Sequence, residues 1–338
     1  MSVTNRAERG GAAPLSPLDP ARKTSAISAW LRSRLTSWGF MSPAVLLITF
    51  FFFIPVIILF ILSFSDLKSV NFGILEWWLP ANWSLDNYSR IFNDAFFSRF
   101  LSNTFFYVLT TLTLFNFGTA LIVALLTTHI NRRAGFFFRL MWLLPRLTPS
   151  VIYILMWRRI AARAPLGIIN QILAPLGLGS GQDLVTSDPW MFVILVNGFV
   201  GASFGLVIFT SAIEAIPKDY LTASKVDGAS TLQTIRHVIL PMIRWPILFV
   251  ITYQTLSLLT SFEQILLLTG GGPGLYRTEV WALRAYHLAL STESGNTQWG
   301  YGAAWAVILV IIGVGAAIIY MRVFKFDELV QEPKIDLV

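Results

Sequence analysis

The chain has 338 residues, of which 55% are hydrophobic and only 13% are charged, about half the charged share of an ordinary soluble protein. This composition excludes a water-soluble globular protein and an intrinsically disordered one. Because the chain has no cysteine and only three histidines, disulfides, thiolate metal sites and cysteine nucleophiles are excluded as well.

Six segments are almost free of charged residues, and each is long enough to cross about 30 Å of hydrocarbon as a helix rising about 1.5 Å per residue. They are Pro43–Ser65, Phe100–Thr128, Leu140–Trp157, Pro189–Ile213, Trp245–Phe262 and Ser294–Met321. The sequence therefore predicts an all-helical polytopic membrane protein with six transmembrane helices. The membrane domain covers residues 41–322, between an N-terminal tail at 1–40 and a C-terminal tail at 323–338.

Basic residues lie unevenly between these segments. The two tails and the second and fourth connections hold 16 of the Lys and Arg residues, whereas the opposite connections hold 8. Since cytoplasmic loops carry the excess of positive charge, both termini are predicted to be cytoplasmic. The net charge of +7 is then explained by topology, and it does not indicate nucleic acid as a partner.

The fourth connection, residues 214–241, is patterned as two short helices. Pro217 and Asp219 suit a helix start, and Asp227-Gly228 suits its end, because glycine tolerates a left-handed conformation. Ser230 with Gln233 three residues later forms a capping box for the second helix. By pattern alone, this segment is either an amphipathic surface connector or an element with a specific partner.

The sequence of this connection resembles the EAA loop of binding-protein-dependent ABC importer permeases. The matching residues are Ala223, Asp227, Gly228, Ala229, Ile239, Leu240 and Pro241. Thr222 replaces the family's glutamate, and Ser224 replaces its second alanine. Further segments in the same order resemble the carbohydrate-uptake branch of these permeases, and among them Leu268-Thr-Gly-Gly-Gly-Pro273 is the most specific.

The resemblance implies a maltose-permease, MetI-like fold in a bacterial cytoplasmic membrane and a role in importing a carbohydrate. It implies four protein partners: a second, homologous permease subunit, two ATPase subunits and an extracytoplasmic solute-binding protein. In this family the EAA loop is the helix that couples to the ATPase. The ATPase-coupling residues are then Tyr220, Leu221, Ala223, Ser224, Val226, Asp227, Gly228 and Ala229.

No cofactor is expected on this chain, which lacks the G-x-x-x-x-G-K-[ST] sequence that cradles ATP phosphates. ATP and Mg²⁺ are therefore expected on the partner ATPase, and the chain is predicted not to be an enzyme. The family also implies that Gly270, Gly271, Gly272 and Pro273 lie on the outer side, where the binding protein docks. From composition alone, this run is equally consistent with a flexible turn.

Polar residues inside membrane spans are costly, and they usually face a partner or a water-filled path. Tyr253, Gln254 and Ser257 are spaced to share one face of the fifth span, and sugar hydroxyls require such donors, acceptors and aromatic surfaces. We predict these residues as the substrate path, with Asn197 and Asn116 as further candidates. The alternative for all five is hydrogen bonding between helices.

Three other function classes compete with this interpretation. A secondary transporter would show an intramembrane carboxylate relay and inverted repeats, and neither is visible in the sequence. A membrane enzyme would need a catalytic constellation, which is not legible either. An ABC permease for a solute other than a sugar remains open.

Overall fold

The computed structural model of the chain describes residues 38–173, 175–177, 182–290 and 296–324. Within these ranges the regular structure is helical and contains no strand. The helices in chain order are α1 Trp38–Ser63, α2 Asp86–Phe92, α3 Phe97–His129, α4 Arg132–Leu147, α5 Ser150–Ile160, α6 Ile168–Leu173, α7 Leu184–Ser187, α8 Pro189–Glu214, α9 Lys218–Val226, α10 Thr231–Met242, α11 Arg244–Thr260, α12 Glu263–Thr269, α13 Trp281–Ala289 and α14 Trp299–Val323.

The all-helical, polytopic architecture is confirmed. Four helices, α1, α3, α8 and α14, are each long and apolar enough to cross a membrane. Two bent pairs, α4 with α5 and α10 with α11, raise the number to six if each pair counts as one span. The predicted tails at 1–40 and 323–338 lie almost entirely outside the described residues.

The third span was expected to be one continuous helix, but the structure divides it. α4 and α5 meet at an angle of 101°. The residues between them, Thr148 and Pro149, have extended ψ angles of 136° and 135°. A residue that precedes proline disfavours the helical region, and proline offers no N–H to continue the helix, so the break falls where the sequence forces it.

The chain divides into two compact units, residues 1–58 and 59–338. The described part of the first unit is the N-terminal portion of α1, which contains a π-helical turn at Thr49–Phe53. Its large apolar side chains are exposed, with Phe51 71% exposed. This all-round apolar surface is typical of a helix that lies in lipid or against another membrane helix.

In the second unit, α8 packs closely against the middle of α3. Gly198, Gly201 and Gly205 follow one another along the side of α8 that contacts α3. A Cβ atom added at Gly205 would lie 2.6 Å from the Asn116 carbonyl oxygen and 2.9 Å from the Ala120 Cβ. The glycines thus allow the two backbones to approach closely, which is how small residues stabilise helix pairs in membranes.

Apolar side chains of this unit form two separate clusters. One, which we call the outer cluster after the predicted topology, includes Phe100, Trp281 and Trp305. The other, which we call the cytoplasmic-end cluster after the same prediction, lies near the residue 214–241 connection and includes Phe209 and Ile239. α8 contributes buried residues to both clusters, as do α3 and α11, so these three helices join the two ends of the bundle.

The α3–α8 contact predicts a position-specific cost of adding a side chain. Gly205→Leu should lower the thermal unfolding midpoint of the detergent-solubilised protein, because overpacking costs about 1–3 kcal/mol. The matched control is Gly313→Leu on α14, where an added Cβ meets nothing within 4 Å. Tryptophan fluorescence during heating measures both, and equal midpoints for the two variants would contradict the close contact.

Candidate functional site

The candidate coupling loop folds as two capped helices around a glycine turn. α9 ends at Val226 and is capped by Asp227, and Gly228 follows with φ of +74°, a left-handed conformation that favours glycine. The Ala229 N–H then donates to the Ser224 carbonyl at 2.9 Å. In α10 the Ser230 N–H donates to Gln233 Oε1 at 2.8 Å, and the Gln233 N–H donates back to Ser230 Oγ at 3.4 Å, which completes the predicted capping box.

Apolar side chains attach this loop to the rest of the second unit. Ile216, Ile239 and Ile243 are buried in the cytoplasmic-end cluster, and Leu221 packs against it. The opposite side of the loop is exposed, with Tyr220 56% and Val226 82% exposed. The loop therefore has one side fixed to the bundle and one exposed side with apolar groups, which is typical of interaction sites.

The eight predicted coupling residues consequently divide between two faces. Tyr220, Ala223, Val226, Asp227 and Gly228 are exposed, and Ala229 is half-buried. Leu221 and Ser224 face the body of the protein. The docking role of the eight residues stays a prediction; the structure places six of them on the accessible side, whereas Leu221 and Ser224 hold the loop to the bundle and to its second helix.

The two departures from the family pattern have different local partners. The Thr222 hydroxyl donates to the Lys218 carbonyl at 3.0 Å, within its own helix. The position of the family's glutamate is therefore occupied by a neutral side chain that is already hydrogen-bonded. The Ser224 hydroxyl lies 3.3 Å from that of Thr234 and donates to the Leu221 carbonyl at 3.0 Å. Ser224 therefore links the two loop helices, which an alanine could not do.

The exposed face of α11 carries polar side chains, as predicted, but it does not consist of the three residues that were predicted to share it. Tyr253 and Ser257 are exposed and are joined by Thr260, at spacings of four and three residues. Gln254 is buried, and its Nε2 donates to the Gly201 carbonyl at 2.9 Å. Because neighbouring helical residues differ by about 100° in direction, Gln254 turns towards α8 while Tyr253 turns outward.

The two asparagine candidates are also buried between helices. Asn197 Nδ2 donates to the Tyr107 hydroxyl and, at 3.3 Å, to Ser261 Oγ. Asn116 lies at the close approach of α3 and α8, and its Oδ1 has no hydrogen-bond partner among the described residues. The Asn197 bonds fit the interhelical alternative, whereas Asn116 is buried between α3 and α8 without a hydrogen bond to its Oδ1.

The outer Gly270–Pro273 segment is a structured turn. Gly270 and Gly271 have φ of +61° and +86°, and Thr278 holds the turn by donating from its hydroxyl to the Gly272 carbonyl at 2.7 Å. Gly271 is buried against Glu279, so it offers no surface for docking. Gly272 and Pro273 are half-buried. The exposed residues of this region are Gly270, Gly274, Arg277 and Leu275, the last of which is 72% exposed.

The structure contains a charged cluster next to this turn that was not predicted from the sequence. Glu279 is only 2% exposed, and its Oε1 lies 3.3 Å from His287 Nδ1 and 3.9 Å from Arg284 Nη1. Arg284 also lies 3.8 Å from Asp94. These groups come from α13 and from two loops, so no local sequence pattern could have predicted that they meet; they anchor the outer turn.

Among the described residues, no group of three or more His, Cys, Asp or Glu side chains could hold a metal ion. The loop of residues 214–241, the polar face of α11 and the outer turn lie at the cytoplasmic end, middle and outer end of the predicted topology.

Comparison with known proteins gives relatives and solved structures of the same kind. The chain is 27% identical to the alpha-glucoside transport system permease protein AglF of Rhizobium meliloti, over 84% of this chain and 81% of that one. It is 26% identical to the sulfoquinovosyl glycerol transport system permease protein SmoG of Agrobacterium fabrum, over 88% and 93% of the two chains.

In structure, the chain resembles a subunit of a bacterial ABC transporter involved in the import of the acidic polysaccharide alginate, with a TM-score of 0.71. Their sequence identity is 20%, and the match covers 88% of this chain and 99% of that one. The α-helical permease fold is thus confirmed. Residues 116–325 match the family described as binding-protein-dependent transport system inner membrane component, a match that covers more than half of the chain. The protein belongs to this family of transport-system membrane components.

Proposed function

We propose that this chain is one of two homologous permease subunits of an ATP-driven importer that takes up a carbohydrate across a bacterial cytoplasmic membrane. The observation that carries the proposal is the capped two-helix loop, which is fixed to the bundle on one side and exposes Tyr220 and Val226 on the other. The carbohydrate assignment is supported by the relatives, whose names specify an alpha-glucoside and a sulfoquinovosyl glycerol.

The loop would act as a rigid lever. Its two helices are tied by the Ser224–Thr234 contact and by the turn at Gly228, so a push on the exposed side moves them together. Ile216, Ile239 and Ile243 would pass that movement to α8 and α11 through the cytoplasmic-end cluster. A rigid element with two packed ends can transmit a conformational change, whereas a flexible loop would absorb it.

The remaining partners follow from the same arrangement. Two ATPase subunits would bind ATP and Mg²⁺ and would contact the loop of this chain and the equivalent loop of the second permease. The extracytoplasmic binding protein would dock at the outer turn, on the side of Gly270 and Leu275, both of which are exposed. The second permease would complete the solute path, which one subunit leaves open along α11.

The complex in lipid vesicles tests the proposal directly. Solute uptake should require ATP on the face that carries the loop and should also require the loaded binding protein on the other face. Gly228→Val should lower the stimulated ATPase rate and uptake several-fold, because a β-branched residue strongly disfavours φ of +74°.

Two variants control this experiment. Gly228→Asn should retain most of the activity, since asparagine tolerates the left-handed region. Gly73→Val imposes the same backbone strain, at φ of +84°, in a loop far from α9 in the chain, and should leave stimulation intact. Uptake driven by an ion gradient without ATP, or full stimulation in Gly228→Val, would contradict the proposed coupling.

The proposed orientation, with the loop and both termini in the cytoplasm, can be tested because the chain contains no cysteine. Val226→Cys and Leu275→Cys place single thiols at exposed positions, 82% and 72% exposed, in the loop and in the outer turn. In cells whose outer membrane has been made permeable, a membrane-impermeant maleimide should label Leu275→Cys and spare Val226→Cys. The reverse pattern would invert the topology.

A further inference from the structure

An arginine and three aromatic rings form an open surface at the junction of α4, α8 and α11. The Arg146 guanidinium carbon lies 5.7 Å from the centroid of the Phe204 ring. Phe204 stacks on Tyr253 with a centroid distance of 4.6 Å and an interplanar angle of 23°, and Tyr253 in turn stacks on Phe249 at 6.2 Å. Arg146, Tyr253 and Phe249 are all exposed, and we call the four residues the Arg146 surface.

The position of these residues along their helices indicates that the surface lies inside the membrane. At about 1.5 Å per residue, Phe204 is about 15 Å from the Glu214 end of α8, and Tyr253 is about 14 Å from the Arg244 end of α11. Each distance is about half the thickness of a hydrocarbon layer of about 30 Å, so both residues lie near its middle. Arg146 is about 21 Å along α4 from Arg132, and it turns its guanidinium towards Phe204.

The charge of Arg146 has no counterpart in this chain as described. None of the ion pairs among the described residues includes Arg146, and the nearby Glu263 instead accepts a hydrogen bond from Ser150 at 2.5 Å. A charged side chain within a membrane is costly and usually faces a partner or a water-filled cavity. The structure therefore places an intramembrane cation on an exposed surface, without an ion-pair partner among the described residues.

The surroundings favour a solute over lipid tails as the neighbour of Arg146. Along α11, the exposed residues after Phe249 are Tyr253, Ser257 and Thr260, all with hydroxyl groups. On α3, by contrast, the exposed residues include Phe105, Leu109 and Ile122, as expected for contact with lipid. A polar exposed stripe beside a cation at this depth is typical of a hydrated path.

We propose that the imported sugar carries an acidic group, and that the Arg146 surface binds it in transit. A guanidinium forms paired hydrogen bonds with a carboxylate, phosphate or sulfonate, and Tyr253 offers both a hydroxyl and a ring edge to the sugar. This inference rests on the proposed carbohydrate-import function and narrows its substrate class to anionic sugars.

The test uses the complete complex in vesicles with its binding protein and matched pairs of probes. The pairs are galacturonate oligosaccharides with galactose oligosaccharides, glucose 6-phosphate with glucose, and sulfoquinovose with glucose. The binding protein should bind the acidic member of at least one pair, and the complex should import it. Arg146→Gln should then lower uptake of that acidic sugar at least about tenfold at subsaturating concentration.

Control variants separate loss of recognition from loss of charge or folding. Arg146→Lys keeps the charge without the paired geometry and should retain intermediate uptake. Arg163→Gln removes an exposed arginine that lies outside the membrane-spanning helices, and it should leave uptake unchanged. Co-purification of the second permease with each variant reports assembly.

Three results would contradict the binding of an acidic sugar at the Arg146 surface. Import of the neutral member of each pair, with no effect of Arg146→Gln, would overturn the acidic-sugar inference while sugar import stands. Failure of Arg146→Gln and Arg146→Lys to assemble with the second permease would assign Arg146 to a subunit contact and overturn it as well. If the binding protein binds the acidic member of no pair, the acidic-sugar inference is overturned, whereas the proposed carbohydrate import is tested separately by ATP-dependent uptake.

Discussion

The described bundle depends on the close approach of α3 and α8. Gly198, Gly201 and Gly205 bring the α8 backbone against Phe115, Asn116 and Ala120, at a distance that side chains would prevent. The same approach exposes the Gly201 carbonyl to Gln254 of α11, so that one glycine position organises three helices. In a membrane, where helices gain little from hydrophobic attraction to each other, such contacts supply much of the packing energy.

This central helix pair connects the two ends of the protein. α8 contributes Phe192 and Val196 to the outer cluster and Phe209 and Ile213 to the cytoplasmic-end cluster. The loop of residues 214–241 follows α8 directly and leads into α11. In the proposed coupling, a force on the loop would reach these two helices, which both contribute to the Arg146 surface. The outer turn is stabilised by a separate set of contacts, those of Glu279 with Arg284 and His287.

Features that depend on local sequence were predicted well. The six apolar segments, the Ser230 capping box and the left-handed turn at Gly228 each follow from the chemistry of a few neighbouring residues. The rotation of α11 was not predictable in the same way, because Tyr253 and Gln254 are adjacent and spacing alone does not say which of them faces α8. Only the carbonyl left accessible by Gly201 decides it.

Other features required information from distant parts of the chain. The Thr148–Pro149 break could have been suspected from the proline, but its angle of 101° depends on the packing of α5. Arg146 is visible in the sequence as a charge inside an apolar span, but nothing in the neighbouring residues says what its side chain contacts. Its position over Phe204 instead reflects an aromatic side chain 58 residues away in sequence.

The central claim is that the exposed face of α11 lines an aqueous path, and cysteine accessibility measures this most directly. In a complex free of other cysteines, Ser257→Cys should react with a membrane-impermeant thiosulfonate, because a thiol ionises readily only in contact with water. Thr255→Cys, at a buried position, and Leu109→Cys, at a position 67% exposed on an apolar face, should remain unreactive. If Ser257→Cys reacts no faster than Leu109→Cys in any state of the transport cycle, the face contacts lipid and the account is contradicted.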